Sequence, residues 1–277
     1  MLQDLMIGYI HNENNRSKII KQRIEVITES LSLDREKCCI QSFYQNKEVK
    51  LNFRTFVLKA VLTNFCLSMW NYRSLKNSEK KTKIFLLTLK DIVLKIFITF
   101  SNILNYQKLK TKFYSEICLT TKHIDCWRRF ANTRKKYLVI FEDDMAIKDK
   151  SLVRFSSFIP GIINAPRKNI FIDLAGGFNL EKGDYFRFDK TKDIEYVQLN
   201  RAQTNTTCGY LLDKELAMNL LDFINVNPIH RLLPIDWCMN VFFMGNNKSI
   251  TCIHFLEPLF EHGSFVKKVR SSIQIEK

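Results

Sequence analysis

The residues best equipped for chemistry stand side by side at Glu142, Asp143 and Asp144, where the apolar run Tyr137–Phe141 delivers three consecutive acids. Such a run, rich in β-branched and aromatic side chains, reads as a buried strand. The carboxyl edge of an open α/β sheet is where ligands bind. Three adjacent carboxylates repel one another unless a cation shares them. Alternate residues of an extended chain point the same way, so Glu142 and Asp144 can converge on one ion. Hard oxygen donors suit Mg²⁺ or Mn²⁺, which keep coordination positions open for substrate phosphates. The same acids also suit an acidic turn at a helix N-terminus.

Two other places carry chemically useful groups. In Pro234-Ile235-Asp236-Trp237 an acid stands next to a Trp. That pairing suits a positioned base in a sugar pocket, and equally an N-cap after a proline. His262 lies in the segment Glu257–Ser264, just past the last expected strand. It can complete a metal site or serve as an ordinary hydrogen-bonded histidine. Eight cysteines show no CxxC pair and no Cys/His zinc spacing, so they read as small buried hydrophobes.

These residues need elements to hold them. Leu5–Ile10 reads as a strand, His11–Asn15 as a polar loop and Ser17–Leu33 as a helix with Ile19, Ile20, Ile24, Ile27 and Leu31 at helical spacing. Strand, loop, helix is how a nucleotide-binding α/β domain begins, although no Gly-x-Gly-x-x-Gly is present. Further strands are expected at Asn169–Leu174, Gly209–Leu212 and Ser249–Phe255, with a helix over Lys214–Phe223 and a tight loop at Gly176-Gly177. Alternating strands and helices predict a mixed α/β sheet. With 277 residues, 46% of them hydrophobic, the chain can bury a sizeable core, which excludes wholesale disorder.

The net charge of +15 is unevenly placed. Residues 1–136 hold 26 Lys+Arg against 11 Asp+Glu, whereas residues 137–277 hold 17 of each. Residues 50–112 alone carry 13 basic residues and only Glu79 and Asp91 as acids. An excess confined to one region predicts a surface that faces something anionic. In this region two apolar stretches, Phe53–Trp70 and Ile84–Tyr106, flank the basic link Asn71–Lys83. The second is long enough to span a bilayer, but Lys90, Asp91 and Lys95 interrupt it. As a helix it places Thr88, Asp91, Lys95, Thr99 and Asn102 on one face, with Leu89, Ile92, Ile96 and Ile103 opposite. Either the pair packs on the protein's own core, or the basic amphipathic helix lies on an anionic membrane, or the second stretch spans the membrane.

Four ordered segments resemble glycosyltransferase family 25. They are Glu116–His123 with Trp127 and Tyr137–Asp144; Thr206–Leu212 with the helix containing Ala217, Leu220 and Leu221; Pro234–Trp237; and Glu257–Ser264. Ile10–Arg16 resembles the family's opening strand and Arg-containing loop more faintly. Ser115 and Lys122 depart from the pattern, which favours Gly and Ser there. The resemblance implies an α/β, GT-A-like, Rossmann-type mixed sheet that binds a nucleotide sugar, with a basic helical segment inserted in the first half. Residues 1–277 would form a single glycosyltransferase domain, and 50–112 a basic insertion or a divergent part of the donor domain.

The implied reaction is transfer of a hexose from a nucleotide sugar, a UDP-sugar for preference, to a glycan or glycolipid such as lipooligosaccharide. Glu142, Asp144 and His262 would hold Mn²⁺ or Mg²⁺ against the donor diphosphate. Asp236 would deprotonate the acceptor in an inverting reaction, and Arg16, His123 and Asp143 would contact the donor. No signal peptide is expected at the N-terminus, so the expected setting is cytoplasmic, peripheral on the inner face of the cell membrane. A basic nucleic-acid-binding protein or metal nuclease is the alternative class. It lacks support from any nuclease-like Asp…Glu-x-Lys set or recognition helix, and no nucleic-acid partner is expected.

Overall fold

The computed structural model describes residues 4–11, 14–31, 39–43, 51–75, 81–164, 168–177, 180, 185–191, 194–246 and 249–263. In chain order the elements begin with β1 (Leu5–Ile10), α1 (Asn14–Ser30), β2 (Cys39–Phe43), α2 (Phe53–Leu75), α3 (Lys81–Leu104) and α4 (Tyr106–Ala131). Then come β3 (Tyr137–Glu142), β4 (Met145–Ala146), α5 (Ser151–Asn164), β5 (Ile170–Asp173), β6 (Tyr185–Thr191) and β7 (Ile194–Leu199). The last are β8 (Gly209–Asp213), α6 (Lys214–Val226), a 3₁₀ turn at Pro228–Leu232, α7 (Ile235–Asn246), β9 (Thr251–Phe255) and β10 (Glu261–His262).

Eight strands form one mixed sheet in the order β2-β1-β3-β8-β5-β9-β7-β6. β1 runs parallel to β2 and β3, β5 runs parallel to β9, and β8 runs against both β3 and β5. The carboxyl ends of β1, β3, β5 and β9 therefore share one edge, and the chain enters β8 from that same edge. The two-residue period of β3 sorts its side chains between two cores. Leu138 and Ile140 pack with α4, α6 and α7, while Val139 and Phe141 pack with α1 and α5. The sheet is thus covered on both faces, which is why β1, β3, β5 and β8 are apolar on both faces instead of alternating, apart from the acids that end three of them, Glu142, Asp173 and Asp213.

The strands expected at the starts of both halves, and those after Asn169, Gly209 and Ser249, are present within a residue or two. β2, β6 and β7 were not anticipated. Residues 106–131 form a single helix, so Glu116 sits mid-helix. The side chain of Asp213 caps α6 by accepting from Leu216 N at 3.0 Å.

α2 and α3 form an antiparallel pair between β2 and α4. A small core of Leu51, Phe56 and Ala60 with Phe113 and Ile117 joins α2 to α4. α3 sits the opposite way round from a helix packed on a core. Its polar stripe faces inward: buried Asn64 of α2 donates to Thr99 Oγ1 at 2.7 Å, and Asp91 and Lys95 are half-buried beside each other. The apolar stripe faces out. Among the described residues no helix is long and apolar enough to cross a membrane.

Candidate active site

The acids leave β3 at the carboxyl edge. Glu142 is still a strand residue, paired opposite Ile10 of β1. Its Oε1 accepts from Thr207 Oγ1 at 2.6 Å and from His123 Nε2 at 3.1 Å. Behind His123 stands a buried relay, with Tyr210 OH at 2.8 Å from His123 Nδ1 and Trp127 Nε1 donating to Tyr210 OH at 3.0 Å. An indole N–H can only donate, so Tyr210 OH accepts there. The Glu142 carboxylate can only accept, so His123 Nε2 carries the proton aimed at it. Burial pushes the Glu142 carboxyl up, but the His123 and Thr207 bonds and the nearby His262 outweigh it, holding the group below its usual range.

Asp144 lies in the turn after β3. The short ribbon of β4 and β10 sets His262 opposite Met145, and Gly263 N donates to Asp144 O at 2.9 Å. This brings His262 Nδ1 to 3.5 Å from Asp144 Oδ2. From the other side, the Cys208 thiol donates to Asp144 Oδ1 at 3.3 Å. Ligand atoms of Asp144, Cys208 and His262 all lie within 4.8 Å of one another. A carboxylate with an imidazole fits a divalent transition ion such as Mn²⁺, and a thiol shifts the preference toward softer ions. Burial and the neighbouring Asp144 and Glu142 raise the Cys208 thiol well above its ordinary range.

Asp236 occupies the first turn of α7, directly after Pro234, and its Oδ1 accepts from Trp237 N at 2.9 Å. Burial raises its carboxyl to about 7, against the Trp237 bond and aided by the negative charges of Glu116 and Glu142. A carboxyl at that value exchanges protons near neutral pH. Glu142, Asp144, Asp236 and His262 line one cleft of about 200 Å³, together with Glu116, Asn205, Thr206 and Thr207.

The cleft wall at Thr206 rests on a turn that only glycine can make. Gly176 has φ +70°, and a Cβ there would lie 2.4 Å from Pro258 Cγ. Its carbonyl accepts from Thr206 Oγ1, and its N–H donates to Asp173 Oδ1 at 2.7 Å.

Of the expected donor contacts, His123 is fully buried behind Glu142 and reaches the cleft only through it. Asp143 is buried and is not among the residues that line the cleft, and its charge acts on Arg23 of α1 and Lys122 of α4. Arg16 falls in the first turn of α1, and its side chain lies outside the described residues. So does Ser264.

Cys208, Thr207, Tyr210 and Glu116 were not singled out as site residues. Buried Lys59 was not either, although its Nζ pairs with Glu116 Oε2 at 2.8 Å and donates to Leu232 O at 2.7 Å. Their only signal in the sequence was membership of segments with a family resemblance. Lys59 gave none, because one Lys in an apolar run reads as an exposed residue.

A mixed sheet with acids and a cleft at its carboxyl edge defines an α/β ligand-binding protein of the doubly covered type. The particular family follows from the family model described as Glycosyltransferase family 25 (LPS biosynthesis protein). It matches residues 101–239, half of the chain, and the chain belongs to that family. The match includes Glu142, Asp144, Cys208 and Asp236 and stops short of His262. No curated protein matches the chain.

Proposed function

We propose that the protein transfers a hexose from a nucleotide sugar, preferably a UDP-sugar, to a hydroxyl of a glycan or glycolipid acceptor such as lipooligosaccharide. Supporting this is the convergence of Glu142, Asp144, His262 and Asp236 on one cleft in a chain of this family. The reading takes 1–277 as one GT-A-like unit with 50–112 as a helical insertion, working at the cytoplasmic face of a membrane.

Asp144 and His262 would hold Mn²⁺ or Mg²⁺, with Cys208 beneath them and Glu142 beside them, one of its oxygens tied to His123 and Thr207. The ion, when bound, would supply positive charge for the departing diphosphate. Asp236 takes the proton from the acceptor hydroxyl, whose oxygen bonds to the anomeric carbon as the bond to the diphosphate breaks, with inversion. His123 acts as a positioning residue through Glu142. Arg16 and Asp143 are assigned to the donor side.

Asp144→Asn is expected to lower Mn²⁺-dependent hydrolysis of the UDP-sugar by about 10²-fold or more while the melting temperature stays near wild type. Undiminished metal-dependent turnover would refute the assignment. Asp236 is useful as a base only when deprotonated, so kcat/KM should climb with pH and level off above about 7. In Asp236→Asn the rate should fall far more than donor affinity, and that limb should vanish. An equal fall in donor affinity would make Asp236 a donor contact instead.

A further inference from the structure

The outward face of α3 sets a run of large apolar side chains in water. Val93, Leu94, Phe97, Phe100 and Leu104 recur at three- and four-residue steps, so they form one stripe. Phe97 is 68% exposed, Phe100 62% and Leu104 72%. The helix also has a polar stripe that could have faced water, yet that stripe is turned inward onto α2 through Asn64 and Thr99. Exposed contiguous apolar surface of this kind marks an interaction site.

Charge selects the occupant. Lys90 is exposed on the same stripe, one turn before Leu94, and exposed Lys108, Lys110 and Lys112 follow in the first turns of α4. The only acid of α3, Asp91, is half-buried beside Lys95. Two copies of the chain meeting through this face would bring a +11 segment against its own image, with only Glu79 and Asp91 as acids to answer it. A bilayer rich in anionic lipid accepts both the aromatic side chains and the lysines. α3 cannot span it, so it would lie in the headgroup region.

We propose that the exposed stripe of α3 docks the protein on an anionic membrane surface, with Phe97 and Phe100 inserted and Lys90 at the headgroups. The α2–α3 pair then connects this surface to the cleft, because α2 packs on α4, which carries Glu116. Docking does not depend on the transfer reading, since its readout is vesicle binding.

The test is co-flotation of the full chain with vesicles of phosphatidylcholine alone or with about a third phosphatidylglycerol. Wild type should float with the anionic vesicles and not with the neutral ones. The Phe97→Ser/Phe100→Ser variant should lose at least tenfold in binding with an unchanged circular dichroism spectrum, because both side chains are already in water. Lys90→Glu should weaken binding to the anionic vesicles, with the deficit against wild type greatest at low salt, where the lost attraction is least screened. Equal flotation of the serine variant, binding without preference for anionic lipid, or a dimer in light scattering that the serine variant abolishes would each overturn the proposal.

Discussion

Asp173 shows how one buried group can be read from its neighbours. Its Oδ1 is taken by the N–H groups of Ala175 and Gly176, and its Oδ2 faces His254 Nδ1 at 3.5 Å. His254 Nε2 lies 2.9 Å from the carbonyl of Gln203, which can only accept, so the ring proton sits on Nε2 and Nδ1 is bare. Burial lowers His254 to about 4, keeping the ring neutral, and raises Asp173 to about 7. Two acceptors facing each other are reconciled when Asp173 is protonated and donates to Nδ1. The folded carboxyl binds its proton more tightly than the unfolded one, so the associated stability is complete below about 4 and is lost as pH rises through about 7. Asp173→Asn keeps the acceptor for Gly176 and supplies a permanent donor to Nδ1. Its melting temperature relative to wild type should therefore increase between pH 6 and 8, by roughly a few degrees. A difference independent of pH would show that Asp173 is not the titrating group. None of this was legible in the sequence, because Asp173 and His254 belong to different strands. Glu142–Asp144, by contrast, was legible, since an apolar strand running into three acids is a local pattern.

At the scale of elements, α4 is the beam of the site. Glu116, Thr120, His123 and Trp127 fall at helical steps along one side. They meet in turn the cleft, the carbonyl of Leu233, Glu142 and Tyr210. The sequence contained this spacing, but without a partner strand it could be assigned only through a family likeness. The upper end of α4 is held by α2, where the Lys59–Glu116 pair is buried against Phe113. Burial lowers the Lys59 ammonium while Glu116 opposes that shift. Lys59→Met leaves the Leu232 carbonyl without its donor and Glu116 with only Lys112 at 3.9 Å, and should cost about 3 kcal/mol in denaturant unfolding. Adding Glu116→Gln should return much of it. A single variant as stable as wild type would mean that α2 and α4 are held by the Leu51–Ile117 core alone. The outward turn of α3 is likewise an element-scale fact. Periodicity showed two unlike faces, and only the position of Asn64 decided which one the protein keeps.

Over the whole molecule, the charge divides along the same line as the roles. The neutral second half supplies Glu142, Asp144, Cys208, Asp236 and His262, and the basic excess sits mainly on the helices between β2 and β3. Composition alone determined that the basic excess lies in the first half. Local pattern determined the α/β class, the acid-bearing strand and the helix after Gly209, because each depends on residues adjacent in the chain. Tertiary structure decided the rest. It placed Cys208 and His262, 64 and 118 positions beyond Asp144, on either side of it, tied Glu142 to His123, and set Asp236 across the cleft. The physical reason is that sheet order, here β3-β8-β5-β9, joins strands far apart in sequence, and no local preference encodes which strand lies next to which.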